Sequence, residues 1–166
     1  MLDSLADRNM LQKNRIESVR EYVDDVLLNI SDAFVRRCGY LHVYGVAQFC
    51  ALIALRRGEN AELATIAGML HDIYTYSTMD PRDHAVKGAT VGREILASMQ
   101  VFSDTEIGAI CAAIGSHSDK SSKHSCFVEV LVDADVMQHC LYNPLFAISE
   151  HERRRFEDLK SEFGLL

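Results

Sequence analysis

Apolar residues recur along the chain in steps of three and four, and no stretch shows the alternation of a half-buried strand. Over residues 12–30, Ile16, Val19, Tyr22, Val23, Val26, Leu27 and Ile30 form one face of an amphipathic helix. Ser31-Asp32 offers a cap for a short helix through Phe34 and Val35, which Gly39 is expected to break. The next helix is predicted from about Tyr40 to Arg57, with Val43, Val46, Phe49, Cys50, Ile53 and Ala54 inward. Gly58 and Asn60 close it and begin another over Ala61 to Asp72, whose buried face holds Leu63, Ile66, Ala67 and Leu70. Residues 73–83 read as a loop. Asp83 can cap a helix that starts at His84 and carries Val86, Ala89, Val91, Ile95 and Leu96. Ser103 to Glu106 has the spacing of a capping box and opens a helix with Ile107, Ile110, Cys111 and Ile114 inward. A polar loop follows over residues 118–125, and then Phe127, Val130, Leu131 and Ala134 begin another inward face. A last helix over about 149–163 is strongly charged and expected to be solvated on most of its surface. The fold class is all-α, a compact single-domain bundle of roughly six to eight helices.

Six polar residues sit where this pattern calls for apolar ones. His42 lies on the stripe of its helix, and His71-Asp72 ends an apolar run. His84 opens a helix, His117 lies three residues beyond Ile114, and Asp135 lies four beyond Leu131, while Asp133 points more nearly away. Each alone suits a hydrogen-bonded core residue or a cap. Together they place four imidazoles and two carboxylates on five segments of a chain with 7 His in all. Buried ionisable groups need partners, and few lysines or arginines share these faces. A divalent metal satisfies histidine and aspartate at once. Mixed ligation of this kind suits Fe, Mn, Zn, Co or Ni better than Mg or Ca.

Composition narrows the class. The chain has 166 residues, 48% of them apolar, enough for one domain with a proper core. A net charge of -7 argues against long nucleic acid as a partner and leaves small anionic substrates open. Five cysteines, Cys38, Cys50, Cys111, Cys126 and Cys140, form no CxxC pair and read as reduced thiols of a cytoplasmic protein. Counting uninterrupted apolar runs finds none of the roughly 18 residues that span a membrane. The first residues lack the basic-then-apolar pattern of a signal peptide, so none is expected. Oligomeric state is open, a homo-oligomer included.

The order His42, His71-Asp72, Asp135 resembles the HD superfamily of metal-dependent phosphohydrolases, over about residues 40–142. Leu70-His71-Asp72-Ile73 and Asp133-Ala134-Asp135 match that family's usual wording. The resemblance implies a helical HD-type domain in which His42, His71, Asp72 and Asp135 bind one divalent ion, with Asp133 the other candidate in the second motif. His84 and His117 resemble the two further histidines of members that hold two ions, such as the bacterial diadenosine tetraphosphate hydrolases. The loop from His71 to His84 is shorter than in those families. No Gly-Tyr-Pro follows, which argues against an HD-GYP cyclic dinucleotide phosphodiesterase. The implied activity is hydrolysis of a phosphate ester or anhydride in a small nucleotide or phosphorylated metabolite. Asp72, His84 and His117 are the catalytic candidates, and Arg82, Lys87 and Tyr74 are candidates for contacting substrate. Of the other histidines, His139 is a candidate partner of Asp135, His124 lies in the polar loop, and His151 falls in the charged last helix. Competing readings are a metal- or nucleotide-binding regulatory module with little turnover, a di-iron HD oxygenase, and six structural residues with no metal.

Overall fold

The structure, a computed structural model, describes residues 15–165. They form eight helices and no strand: α1 (Arg15–Leu28), α2 (Ala33–Arg57), α3 (Ala61–Leu70), α4 (Ile73–Thr78), α5 (His84–Met99), α6 (Asp104–Ser116), α7 (Cys126–Tyr142) and α8 (Glu150–Glu162). The all-α expectation holds. The start of the first predicted helix, residues 12–14, lies outside the described residues. α2 packs against α3 and α7, and α5 against α6, around one shared apolar core. Three of the expected caps form. Asp32 accepts from the amides of Phe34 and Val35, Asn60 accepts from Leu63, and Ser103 with Glu106 makes the reciprocal box.

Four sequence expectations need correction. Gly39 does not break a helix, because α2 runs unbroken through it. What the missing side chain provides is space: a Cβ there would lie 2.8 Å from Leu27 and 3.0 Å from Tyr76. Residues 73–83 are not all loop. Ile73 is fully buried and Tyr76, three residues on, packs on the core, so this pair anchors α4 despite its polar, β-branched composition. Asp83 caps nothing: its backbone is left-handed (φ 53°), its side chain makes no cap bond, and Asp80 braces the turn by accepting from Arg82 N. On α5 the buried face is Ala85, Gly88, Gly92, Ile95 and Leu96, while Val86 is exposed. The charged α8 is largely solvated as expected, apart from a seam of Glu152, Phe156 and Leu159.

By length and composition α2 is long and apolar enough to cross a membrane, although charged and polar residues interrupt its apolar runs. Its apolar residues Val43, Val46, Cys50 and Ile53 are buried inside the bundle. The crossing of α2 and α3 depends on Gly68, where a Cβ would meet the Ala47 Cα at 2.7 Å and its N at 2.9 Å. Backbone cannot yield as a flexible side chain can. Gly68→Ala is therefore expected to cost about 3 kcal/mol, the upper range for overpacking, read by urea unfolding. A loss under about 1 kcal/mol would mean the crossing has slack.

Candidate metal centre

This close crossing delivers the C-terminal end of α3 beside the middle of α2. His71 follows the last turn of α3 and is fully buried, with His42 of α2 facing it. His117 ends α6 and His84 begins α5, and these two also face each other. Hydrogen bonds fix which ring nitrogen of three of these histidines carries the proton. His71 Nδ1 meets the Gly68 carbonyl at 2.7 Å, His117 Nδ1 the Ile114 carbonyl at 2.7 Å, and His84 Nδ1 the Pro81 carbonyl at 3.1 Å. A carbonyl only accepts, so each Nδ1 donates, and each Nε2 of a neutral ring keeps its lone pair. His42 Nδ1 lies 2.8 Å from Gln138 Oε1, the same arrangement with a side-chain amide. The Nε2 atoms then meet in pairs: His42 and His71 at 2.9 Å, His84 and His117 at 3.2 Å. Two lone pairs repel at such distances unless a metal ion or a shared proton sits between them.

Asp72 lies between the two pairs, with its two oxygens divided. Oδ2 is 3.4 Å from His42 Nε2 and 3.5 Å from His71 Nε2. Oδ1 is 3.5 Å from His84 Nε2 and 3.6 Å from His117 Nε2. Asp135, on α7, adds Oδ1 to the first pair, 3.6 Å from His42 and 4.0 Å from His71. Its other oxygen, Oδ2, accepts a hydrogen bond from Lys120, so Oδ1 is the atom left to the histidines. Among the described residues, Asp72 Oδ1 and Asp135 Oδ1 are buried with no hydrogen bond. Buried, unpaired carboxylate oxygens are costly. Divalent ions would relieve both these oxygens and the facing lone pairs, so the donor set fits a metal. Among the described residues, His42, His71 and Asp135 form one cluster with metal-ligand spacing, and His71, Asp72 and His117 form another.

The electrostatics point the same way. Burial pushes His71 down to about 4, which keeps the ring neutral near pH 7. Burial alone would raise Asp72, but His71, His117 and His42 outweigh it and hold the carboxyl well below its ordinary value. Asp135 is likewise held low against burial, by Lys120 first and then by His71, His139 and His42. His42 is raised overall: burial lowers it, and Asp72, Asp135 and Gln138 more than compensate. Ionised carboxylates beside a neutral imidazole are the ligand forms a metal requires.

All six inward polar residues of the sequence reading therefore converge. Asp133 does not join them, and instead pairs with Arg57 and Arg155 at 2.8 Å each. His139 does approach Asp135, with Nε2 3.4 Å from Oδ1. His124 closes its own loop through the Asp119 carbonyl, and His151 is exposed. Arg82, Lys87 and Tyr74 gather around Asp80 rather than around the cluster, with Lys87 lying over the Tyr74 ring. Four contributors escaped the sequence reading: Lys120 on Asp135, Gln138 on His42, the Ser118 hydroxyl 3.1 Å from His84 Nε2, and buried Glu152, which accepts from His139 Nδ1 at 2.7 Å. Gln138 lies three residues beyond Asp135 on one helix face, so helical spacing could have found it.

Residues 39–140 match the family model of the HD domain. Among solved structures, the chain is similar to the crystal structure of a predicted HD superfamily hydrolase from an uncultured Thermotogales bacterium, at 23% identity and a TM-score of 0.63. The likeness covers 98% of this chain and 94% of that one, and speaks for a shared fold.

Proposed function

The chain belongs to the HD-domain family, and on that premise we propose that it is a metal-dependent phosphohydrolase of small phosphorylated molecules. The observation that carries the reading is the division of the Asp72 carboxylate between two imidazole pairs. His42, His71, Asp72 and Asp135 would hold one divalent ion, and His84, His117 and the second oxygen of Asp72 another. Such ions supply a water of lowered pKa and neutralise charge on phosphoryl oxygens.

The protein residues do the positioning. The carbonyls of Gly68, Ile114 and Pro81 aim three Nε2 atoms, and Gln138 aims the fourth. Lys120 holds one Asp135 oxygen, donates also to the His117 carbonyl at 2.7 Å, and so ties both halves of the centre together. His84, the most exposed of the four imidazoles, stands at the solvent edge of the centre. Arg82 and Lys87 flank it in sequence and are the candidate phosphate contacts, in exchange for Asp80. Substrates in this reading are phosphate esters or anhydrides of a nucleotide or metabolite, with diadenosine tetraphosphate among the compounds to test.

Elemental analysis of the purified chain is the direct test. We expect two transition-metal ions per chain, falling to one when His84 and His117 are both changed to alanine. One ion in both proteins would leave His84 and His117 as proton-transfer groups. No ion in either, after reconstitution, would overturn the centre.

A further inference from the structure

We infer that a slot of about 610 Å³ beside His42 is the subsite for an uncharged, planar ring carried by the substrate on the ester side of its phosphoryl group. Given the phosphohydrolase reading, on which this rests, the substrate is a nucleoside or aryl phosphate rather than a sugar phosphate. The slot lies between the start of α2 and the end of α7. On α2, Phe34, Cys38 and His42 follow at intervals of four, so one helix face leads from the open end of the slot to the metal centre. Across from them stand His139 and Tyr142 of α7, with Phe146 of the loop that follows.

Three features set the chemistry of the occupant. The walls are aromatic: Phe34, Tyr142 and Phe146 are 65%, 51% and 66% exposed, apolar surface that a ring can cover. At the inner end the His42 and His139 rings stack, with centroids 5.2 Å apart and planes 14° apart, which leaves an imidazole stack between the slot and the centre. Among the described residues, the lining contains no lysine or arginine, and the neighbouring Arg37 guanidinium lies over the Phe34 ring, 5.3 Å from its centroid. The volume lies within the range of small-ligand pockets and has room for a nucleoside. Glu152 fixes His139 by accepting from Nδ1, so this wall is oriented before any ligand arrives.

Saturation-transfer NMR with adenosine, on the full chain loaded with metal, tests the slot without requiring turnover. Adenosine carries the ring and sugar but has no phosphate bond to break. We expect binding that weakens roughly tenfold in Phe34→Ala and in Phe146→Ala, and that survives in Phe34→Tyr. Both side chains are largely exposed, so truncation leaves the core intact, which circular dichroism checks. Nucleoside monophosphates should exceed ribose 5-phosphate in kcat/KM by about tenfold, an advantage lost in Phe34→Ala. No transfer to adenosine, or transfer indifferent to both truncations, overturns the inference. So does a dimer that the truncations dissociate in the absence of adenosine binding, since that assigns the face to a second copy of the chain. Adenosine binding with no turnover of any phosphate would sink the phosphohydrolase reading and leave the slot standing. Turnover of ribose 5-phosphate without adenosine binding would do the reverse.

Discussion

Asp72→Asn is expected to empty both halves of the centre and to lower hydrolysis by on the order of 10³-fold or more, because about 4 kcal/mol of transition-state stabilisation would go with the ions. Asparagine discriminates better than alanine here. It keeps the volume and adds an N–H donor that could satisfy an Nε2 lone pair, while removing the charge. If Asp72 served only to satisfy buried imidazoles, asparagine would do that at least as well, and stability and metal content would not fall. The geometry argues otherwise. Asp72 makes no hydrogen bond through its buried Oδ1, yet both oxygens lie within 3.6 Å of two imidazole nitrogens each. Without a cation the buried, unpaired carboxylate oxygen is costly, and each pair of facing imidazole nitrogens needs a proton to hold it. Metal content by elemental analysis and steady-state hydrolysis check the expectation. Full metal occupancy in Asp72→Asn would remove Asp72 from the ligand set.

The six converging residues were legible in the sequence for a physical reason. A histidine or aspartate at an inward position of a 3.6-residue pattern needs a partner, and helix ends are where several helices can present such residues to one point. Asp135 separated from Asp133 on the same ground, since Asp135 falls four residues after Leu131 on the inward face. Burial did not separate them, because both are buried. Lys120 was not legible: it sits in a polar loop whose return onto α7 is set by tertiary contacts. Glu152 was hidden within the charged run that opens α8, where one inward position in four looks like the rest of a solvated face. The two errors in chain path share a cause. Gly39 and the Tyr-Thr-Tyr-Ser-Thr stretch both read locally as helix-breaking, and in both the packing overrode propensity. Leu27 and Tyr76 press on Gly39, and Ile73 with Tyr76 anchors α4, so the same aromatic ring accounts for half of each correction.

The other aspartate of the Asp-Ala-Asp motif should fail in a different way. Asp133→Ala is expected to leave the metal content unchanged and to destabilise the fold by about 3 kcal/mol or more, the range for removing one partner of a buried ion pair. Asp133 Oδ2 accepts from Arg57 Nη1 at 2.8 Å, and Oδ1 accepts from Arg155 Nη1 at 2.8 Å. Asp133 is 6% exposed, so its loss leaves two guanidinium groups facing a void with less compensating charge. The arginines are not left wholly unpaired. Arg57 retains Glu162, and Arg155 retains Glu129, which places the cost at the lower end of the range. Arg155 also donates to the carbonyls of Lys120 at 2.8 Å and Ser122 at 2.9 Å, and so clamps the loop that carries Lys120. Loosening that clamp acts on the centre only through the position of Lys120, whereas Asp135→Ala removes a ligand candidate outright. For a chain of this size, 3 kcal/mol corresponds to a fall of roughly 6–12 °C in Tm. Thermal unfolding and metal analysis on the two variants side by side separate the roles. Asp133→Ala should melt early with its ions in place, and Asp135→Ala should lose metal with a smaller change in the melting of the metal-free protein. Loss of metal in Asp133→Ala at temperatures where it remains folded would assign the ligand to the wrong aspartate.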